Sequence, residues 1–245
     1  MDNTQLVNLS QQLASYRAME VIANNIANVS TPAFKRQQAE FQDYVETLPP
    51  AEGQTEPQTL TFVQDAGISR DMSEGQLVHT GAPFDLAANG RGFFAVQTAN
   101  GIRYTRNGHF ALNAQGVIVT EDGNSVQGEG GDITITPDDG DIHIAEDGTV
   151  SGAHGQLGKI KLVDFDDDSK LVNEGASLYS TDQAAKPVDK PDIAQGMIES
   201  SNVSPVTEIS LLLQVTRAYQ ATANLTQAQE DLMRQTIDKL GTVPN

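Results

Sequence analysis

Apolar residues at helical spacing occupy both ends of this 245-residue chain, while the stretch between them is broken every few residues by Gly and Asp. At the N-terminus Leu6, Leu9, Leu13, Tyr16, Met19, Ile22, Ile26 and Val29 recur three or four residues apart, which puts them on one face of a helix. At the C-terminus Leu212, Tyr219, Thr226, Met233 and Leu240 fall seven apart, flanked by Ile209, Thr216, Ala223 and Ile237. Seven-residue spacing keeps one seam of a helix against a partner helix. Helical ends around a β middle suggest a subunit built to assemble.

The first helix is expected from about Thr4 to Val29, stopped by Ser30-Thr31-Pro32, because Pro32 pushes Thr31 out of the helical region. Asn is a poor helix former, so the run Ala23-Asn24-Asn25-Ile26-Ala27-Asn28 stands out. At about 100° per residue, Asn24, Asn25 and Asn28 lie opposite Ile22, Ile26 and Val29, where three amides can bond a neighbouring chain or simply cap a fraying last turn. The second helix is expected from Ser204-Pro205 to about Leu240: Ser204 caps, Pro205 suits the first helical position, Glu208 favours the positive end, and Gly241 stops it. A helix of ~35 residues is about 50 Å long, more than a domain of this size covers by itself.

Between the helices, Leu48-Pro49-Pro50-Ala51-Glu52-Gly53 and the polar residues up to Pro57 read as a linker or exposed loop. From about Leu60 to Tyr179 the signals are short strands and tight turns: Phe93–Val96 and Ile102–Thr105 flank Asn100-Gly101, and Asn107-Gly108, Asp122-Gly123 and Asp147-Gly148 repeat the theme. This middle is expected to be a compact, mainly antiparallel β domain.

Charge separates the same regions. Of the net −18, residues 47–200 carry −15, against −2 for 1–46 and −1 for 201–245. Near-neutral ends can pack densely against copies of themselves, whereas the acidic middle stays solvated; an ordinary acidic surface is the plainer account. Without a basic patch to neutralise phosphate, no nucleic-acid partner is expected. There is no Cys, hence no disulfide and no thiolate metal site. The N-terminus lacks the basic and apolar regions of a cleavable signal, and no run approaches 18 apolar residues, so no membrane insertion is expected.

Catalytic and ligand patterns fail one by one, so no enzyme activity, cofactor or metal is expected. Gly90-Arg91-Gly92-Phe93-Phe94-Ala95 matches a dinucleotide fingerprint by letters alone, but opens an aromatic strand rather than a helix. Asp164-Phe165-Asp166-Asp167-Asp168 starts like a calcium loop, yet has Ser169 where Gly is required and Gly175 where a bidentate Glu belongs. Gly128-Glu129-Gly130-Gly131-Asp132 resembles a calcium-binding roll repeat, but occurs once. His79, His109, His143 and His154 lack metal spacing, and there is neither a nucleophile elbow nor a distinguished carboxylate pair.

Three blocks carry a family resemblance. Ile22-Ala23-Asn24-Asn25-Ile26-Ala27-Asn28-Val29-Ser30-Thr31-Pro32-Ala33-Phe34-Lys35-Arg36 resembles the N-terminal signature of bacterial flagellar rod and hook proteins. Gly92-Phe93-Phe94 with Tyr104-Thr105-Arg106-Asn107-Gly108-His109-Phe110 is similar to their shared core motif, and Glu199-Ser200-Ser201-Asn202-Val203 with Arg217-Ala218-Tyr219 to their C-terminal one. The chain departs at Ala33, where the pattern has Gly or Asn, residues that tolerate positive φ. The short middle, the opening Met1-Asp2-Asn3-Thr4, Phe62-Val63-Gln64-Asp65 and the lack of Trp favour a proximal rod member, a distal rod or hook-type subunit being the alternative.

The resemblance implies an α+β fold: long N- and C-terminal helices paired in an inner coiled-coil-like domain, with the mainly antiparallel β domain in the middle. The corresponding boundaries are 1–33 for the N-terminal helix, 34–64 for an extended linker, 65–200 for the β domain and 201–245 for the C-terminal helix. It further implies a structural subunit of the flagellar basal body that forms a helical polymer and carries torque across the periplasm for motility. Its partners would be copies of itself, other proximal and distal rod proteins, and the type III export apparatus, which needs no cleavable signal. On this reading Leu6, Leu9, Leu13, Tyr16, Met19, Ile22, Ile26 and Val29 and Leu212, Tyr219, Met233, Ile237 and Leu240 form the interface between subunits, with Asn24, Asn25 and Asn28 fixing register. The competing readings are a monomer whose end helices form a hairpin on the β domain, and a β-rich binding or hydrolase domain.

Overall fold

The structure, a computed structural model, describes residues 3–48 and 58–241. They divide into two units: one comprises the described parts of 1–27, 37–71 and 204–245, the other 28–36 and 72–203.

The first unit holds α1 (Asn3–Ala27), α2 (Pro205–Gly241) and an antiparallel hairpin of β1 (Gln37–Leu48) and β2 (Gln58–Arg70). Gln37 pairs with Arg70 at the root and Leu48 with Gln58 at the far end, so the ribbon runs about 40 Å at 3.3 Å per residue. One bulge interrupts it between Glu40 and Phe41, opposite Ala66 and Gly67; Gly67 takes φ 124°, and its N–H donates to the Asp65 carboxylate at 2.9 Å. A lone two-stranded ribbon is marginal in water. This one is held along α1, where the Val63 N–H donates to Ser10 Oγ at 3.3 Å and Arg17 pairs with Asp65 at 3.3 Å. The two strands occupy most of the stretch expected to be an extended linker; residues 49–57 within it lie outside the described residues.

The expected coiled-coil-like pairing of two long terminal helices is corrected by these observations. The helix α1 ends at Ala27, two residues short of Val29, and has 25 residues against the 37 of α2. A coiled coil buries its apolar seam, yet Leu6, Leu9 and Leu13 on α1 and Met233 and Ile237 on α2 are exposed. Side-chain hydrogen bonds link the helices: Asn8 to Gln229 at 3.3 Å, Gln12 to Thr226 at 3.4 Å, Asn25 to Glu208 at 3.1 Å, and Thr216 Oγ1 to Met19 Sδ at 3.7 Å. Heptad spacing identifies residues that share a face but does not say what covers that face. Here a β-hairpin joins the helices, Ile22 is buried, and the outer parts of the stripes, Leu6 to Leu13 and Met233 to Ile237, stay exposed. No helix among the described residues is long and apolar enough to cross a membrane.

The second unit is built of β-strands with two short 3-10 turns, and every ladder in it is antiparallel. Its strands begin with β3 (Leu77–His79), β4 (Leu86–Ala88), β5 (Phe93–Thr98), β6 (Gly101–Thr105), β7 (Phe110–Leu112), β8 (Ile118–Thr120) and β9 (Ser125–Gly128). The β5–β6 hairpin is central: β9, β8 and β7 follow on the β5 side, and the strands Leu178–Ser180 and Val172–Gly175 follow on the β6 side. Phe93, Phe94, Ala95 and Val96 of β5 are all buried, so this strand is covered on both faces. Alternate residues point opposite ways: Phe94 and Val96 join a large core with Leu86, Ile118, Val126, Ile160 and Ile193, while Phe93 joins a smaller one with Val163, Phe165, Leu171 and Tyr179.

The tight turns fall where Asn-Gly and Asp-Gly stand, with adjustments. The β5–β6 loop is Ala99-Asn100, with Gly101 at φ 103° opening the next strand. Gly108 serves a different end: an added Cβ there would lie 1.5 Å from the Leu86 carbonyl oxygen, so only glycine allows the Leu86 N–H to donate to the Gly108 carbonyl at 2.9 Å. The acidic run 164–168 is consumed locally. Arg91 pairs with Asp164 at 3.2 Å, Lys186 with Asp166 at 2.7 Å, and Asp167 caps a short 3-10 turn by accepting the Ser169 N–H.

Candidate assembly surface and two buried polar clasps

The helices of the first unit present unusually apolar surfaces. Leu6, Leu9, Leu13 and Tyr16 line one face of α1 and are exposed, Leu13 to 62%. On α2, Val206, Ile209, Leu213, Leu225, Leu232, Met233 and Ile237 are exposed, the last to 68%. Apolar side chains scattered singly on a surface are ordinary, whereas Leu6, Leu9, Leu13 and Tyr16 stand together on one face of α1 and the exposed apolar side chains of α2 are spread along its length.

Fifteen of the sixteen residues read as an interface sort into three groups. Leu6, Leu9, Leu13, Tyr16, Asn24, Met233 and Ile237 are exposed, and Met19, Ile26, Asn28, Val29, Leu212 and Tyr219 are half-buried. Ile22 and Asn25 are buried within the chain itself. Leu240 lies outside the residues whose side chains are described.

Asn25 forms the first clasp. Its Oδ1 accepts the Gln37 N–H at 2.8 Å, and its Nδ2 donates to the Gln37 carbonyl at 2.8 Å and to Glu208 Oε2 at 3.1 Å. Both Asn25 and Glu208 have no exposure at all. One amide therefore joins the last turn of α1, the first residue of β1 and the first turn of α2. The expectation that all three amides lie opposite the apolar stripe is corrected for Asn25, which stands three residues after Ile22 and four before Val29 and is buried with Ile22, while Asn24 is exposed.

The second clasp lies in the β unit and gathers residues from the terminal signatures. Lys35 Nζ donates to Glu199 Oε1 at 2.6 Å and to the Ser73 carbonyl at 2.7 Å. Glu199 Oε1 also accepts the Gly75 N–H at 2.8 Å, while Arg106 Nη1 stands 3.5 Å from Oε2. The Arg106 guanidinium lies over the Phe93 ring, 5.4 Å from its centroid. Lys35, Arg106 and Glu199 are each at most 4% exposed. Burial holds the Lys35 ammonium below the ordinary lysine value, and the Glu199 carboxylate opposes that shift without cancelling it.

Backbone bonds complete this knot. The Ala33 N–H donates to the Glu199 carbonyl at 2.8 Å, the Arg36 N–H to Asn202 Oδ1 at 2.7 Å, and the Asn202 N–H to the Phe34 carbonyl at 3.3 Å. Ala33 is fully buried with φ 54°, so the left-handed turn is kept although the residue is not Gly or Asn. Lys35 and Glu199 appear in the sequence only as letters within motifs. A lysine and a glutamate 164 positions apart give no local sign that they meet.

Among the described residues no group of three or more His, Asp or Glu side chains is placed to hold a metal.

Comparison with known proteins agrees with the order of these segments. Residues 9–35 match the model of the flagella basal body rod protein, 87–152 that of the flagellar hook protein FlgE/F/G D1 domain, and 194–239 that of the flagellar basal body rod FlgEFG protein C-terminal region. The flagellar basal-body rod protein FlgF of Caulobacter vibrioides is 39% identical over 246 residues, covering 99% of this chain and 100% of the relative. FlgF of Mesorhizobium japonicum is 33% identical, covering 98% and 99%. FlgG of Buchnera aphidicola subsp. Acyrthosiphon pisum is 33% identical, covering 88% and 91%. The chain therefore belongs to the FlgF/FlgG family of flagellar basal-body rod proteins, a structural family and not one of enzymes.

Proposed function

We infer that this chain is a structural subunit of the flagellar basal-body rod that polymerises helically through α1 and α2 and transmits torque across the periplasm. Its partners are further copies of itself and the proximal and distal rod proteins. It reaches the rod through the flagellar type III export apparatus. The observation that carries this reading is the exposed apolar side chains on α1 and α2, in a chain whose β unit has a closed core of its own. Torque passes through a helical polymer only when each subunit is gripped on several sides, and those rows offer the grip. A self-contained monomer has no use for a Leu13 left 62% exposed. The proximal position is favoured by coverage: the FlgF relatives match 98% and 99% of this chain, the FlgG relative 88%.

Within the expected interface, Leu6, Leu9, Leu13, Tyr16, Met233 and Ile237 make the contacts between subunits, with Asn24 and Asn28 at its edge. Burying one leucine contributes roughly 1.5–3 kcal/mol, and a buried aspartate replaces that gain with a desolvation cost. Leu13→Asp is expected to abolish recovery of the chain in purified basal bodies, with the β unit still melting as in the wild type. Incorporation at the wild-type level would overturn the assembly reading.

A further inference from the structure

We propose that Asn25 and Glu208 are positioning residues for assembly: their buried bond locks the root of the β1–β2 hairpin to both terminal helices, and so presents the apolar rows of α1 and α2 in one fixed arrangement. The proposal rests on the assembly reading above and assigns Asn25 a role inside the chain, not one against a neighbour.

The chemistry of the site is specific to an amide. The N–H and C=O of one strand residue point to the same side, and Asn25 meets both on Gln37 at 2.8 Å, as a paired strand would. The second hydrogen on Nδ2 then goes to Glu208 Oε2 at 3.1 Å. Acceptor and both donors are used, a set that neither Asp, which lacks donors, nor Ser, which is too short, can supply. Glu208 is suited to its end of the bond, since a carboxylate in the first turn of α2 faces the positive end of that helix. The three anchored points are the places where α1 ends, β1 begins and α2 begins. Fixing them fixes the directions in which the two apolar rows leave the junction.

The test uses full-length variants as the sole copy in motile cells, reading the chain recovered in purified basal bodies against its total amount. Each purified variant is also melted to follow the β unit. Asn25→Asp removes both donors and sets two carboxyls side by side in a buried site, and is expected to lower incorporation about tenfold or more. Glu208→Gln keeps an acceptor for Nδ2 and is expected to stay within about threefold of wild type. Wild-type incorporation of Asn25→Asp would overturn the proposal, as would a loss in Glu208→Gln as deep as in Asn25→Asp at equal chain levels with the β unit folded. Leu13→Asp separates the two readings. Its normal incorporation sinks the assembly reading itself, whereas its loss beside a normal Asn25→Asp sinks only the clasp.

Discussion

Replacing Glu199 by alanine should cost the β unit more than replacing its partner Lys35, and the reason lies in the charges of the clasp. Lys35, Arg106 and Glu199 make two cations and one anion, all at most 4% exposed. Glu199→Ala leaves the two cations facing each other without a counter-charge, and also leaves the Gly75 N–H without its carboxylate acceptor. Breaking a buried pair in this way costs about 3–5 kcal/mol. Lys35→Met removes the surplus cation and leaves Arg106 and Glu199 one to one, and the Ser73 carbonyl still accepts from Asn202 Nδ2 at 3.1 Å. Its cost should be nearer 1–3 kcal/mol. Urea unfolding followed by tyrosine emission is a practical assay, because the chain has no Trp and two of its five tyrosines, Tyr104 and Tyr179, lie in this unit. With a slope of about 1–3 kcal/mol/M, Glu199→Ala should lower the midpoint by roughly 2 M and Lys35→Met by about half that. If Lys35→Met proves the more damaging, or Glu199→Ala costs under about 1 kcal/mol, the charge argument is wrong.

Gly108→Ala should unfold the β unit or reduce it to a loosely packed state, since its Cβ would fall 1.5 Å from the Leu86 carbonyl oxygen, a backbone atom that cannot swing aside; loss of near-ultraviolet dichroism from the purified variant checks this. Acidification should weaken the same unit. Hydrogen bonds from Thr136 to Asp139 and from Thr149 to Asp147, and the Ser169 and Arg103 bonds to Asp167 and Glu174, all hold these carboxyls below their ordinary values. A carboxyl whose folded value is depressed contributes stability that is present above its unfolded value and is lost as pH falls through the folded one. Melting temperatures should therefore hold down to about pH 5 and fall below about pH 4, and a flat profile to pH 2.5 would count against these bonds. Lys35 acts at the other extreme: with its folded value depressed, the cost of burying its charge is relieved as pH rises toward the ordinary lysine value. Lys35→Met should remove that alkaline gain.

Much of the helical structure was legible because helical periodicity is a local property. The start of α2 at Pro205 follows from Ser204, Pro205 and Glu208; the stop expected at Gly241 falls at the edge of the described residues, with Gly241 still in the helix. Turns at Gly101, Gly123 and Gly148 are likewise local, each with φ between 82° and 103°. The β1–β2 ribbon was not legible: Phe41, Tyr44 and Val45 give only a faint alternation, and the Pro-rich run at 48–57 reads as linker whether or not strands flank it. The two clasps were hidden for a stronger reason. Asn25 meets Glu208 across 183 residues and Lys35 meets Glu199 across 164, so the bond each residue makes comes from a partner no window includes.

The left-handed turn at Ala33 bears on the order in which this chain can fold. An alanine there sits about 1–2 kcal/mol above a relaxed backbone, and what holds it is the bond from its N–H to the Glu199 carbonyl, with the Lys35 ammonium locked on the same residue's side chain. A strained turn does not persist before the contacts that hold it exist. A chain emerging from its N-terminus thus carries an unfinished signature through the next 160 residues or so, and the segment takes its final shape only when residue 199 arrives. The N-terminal signature is among the first parts to appear and among the last to be set.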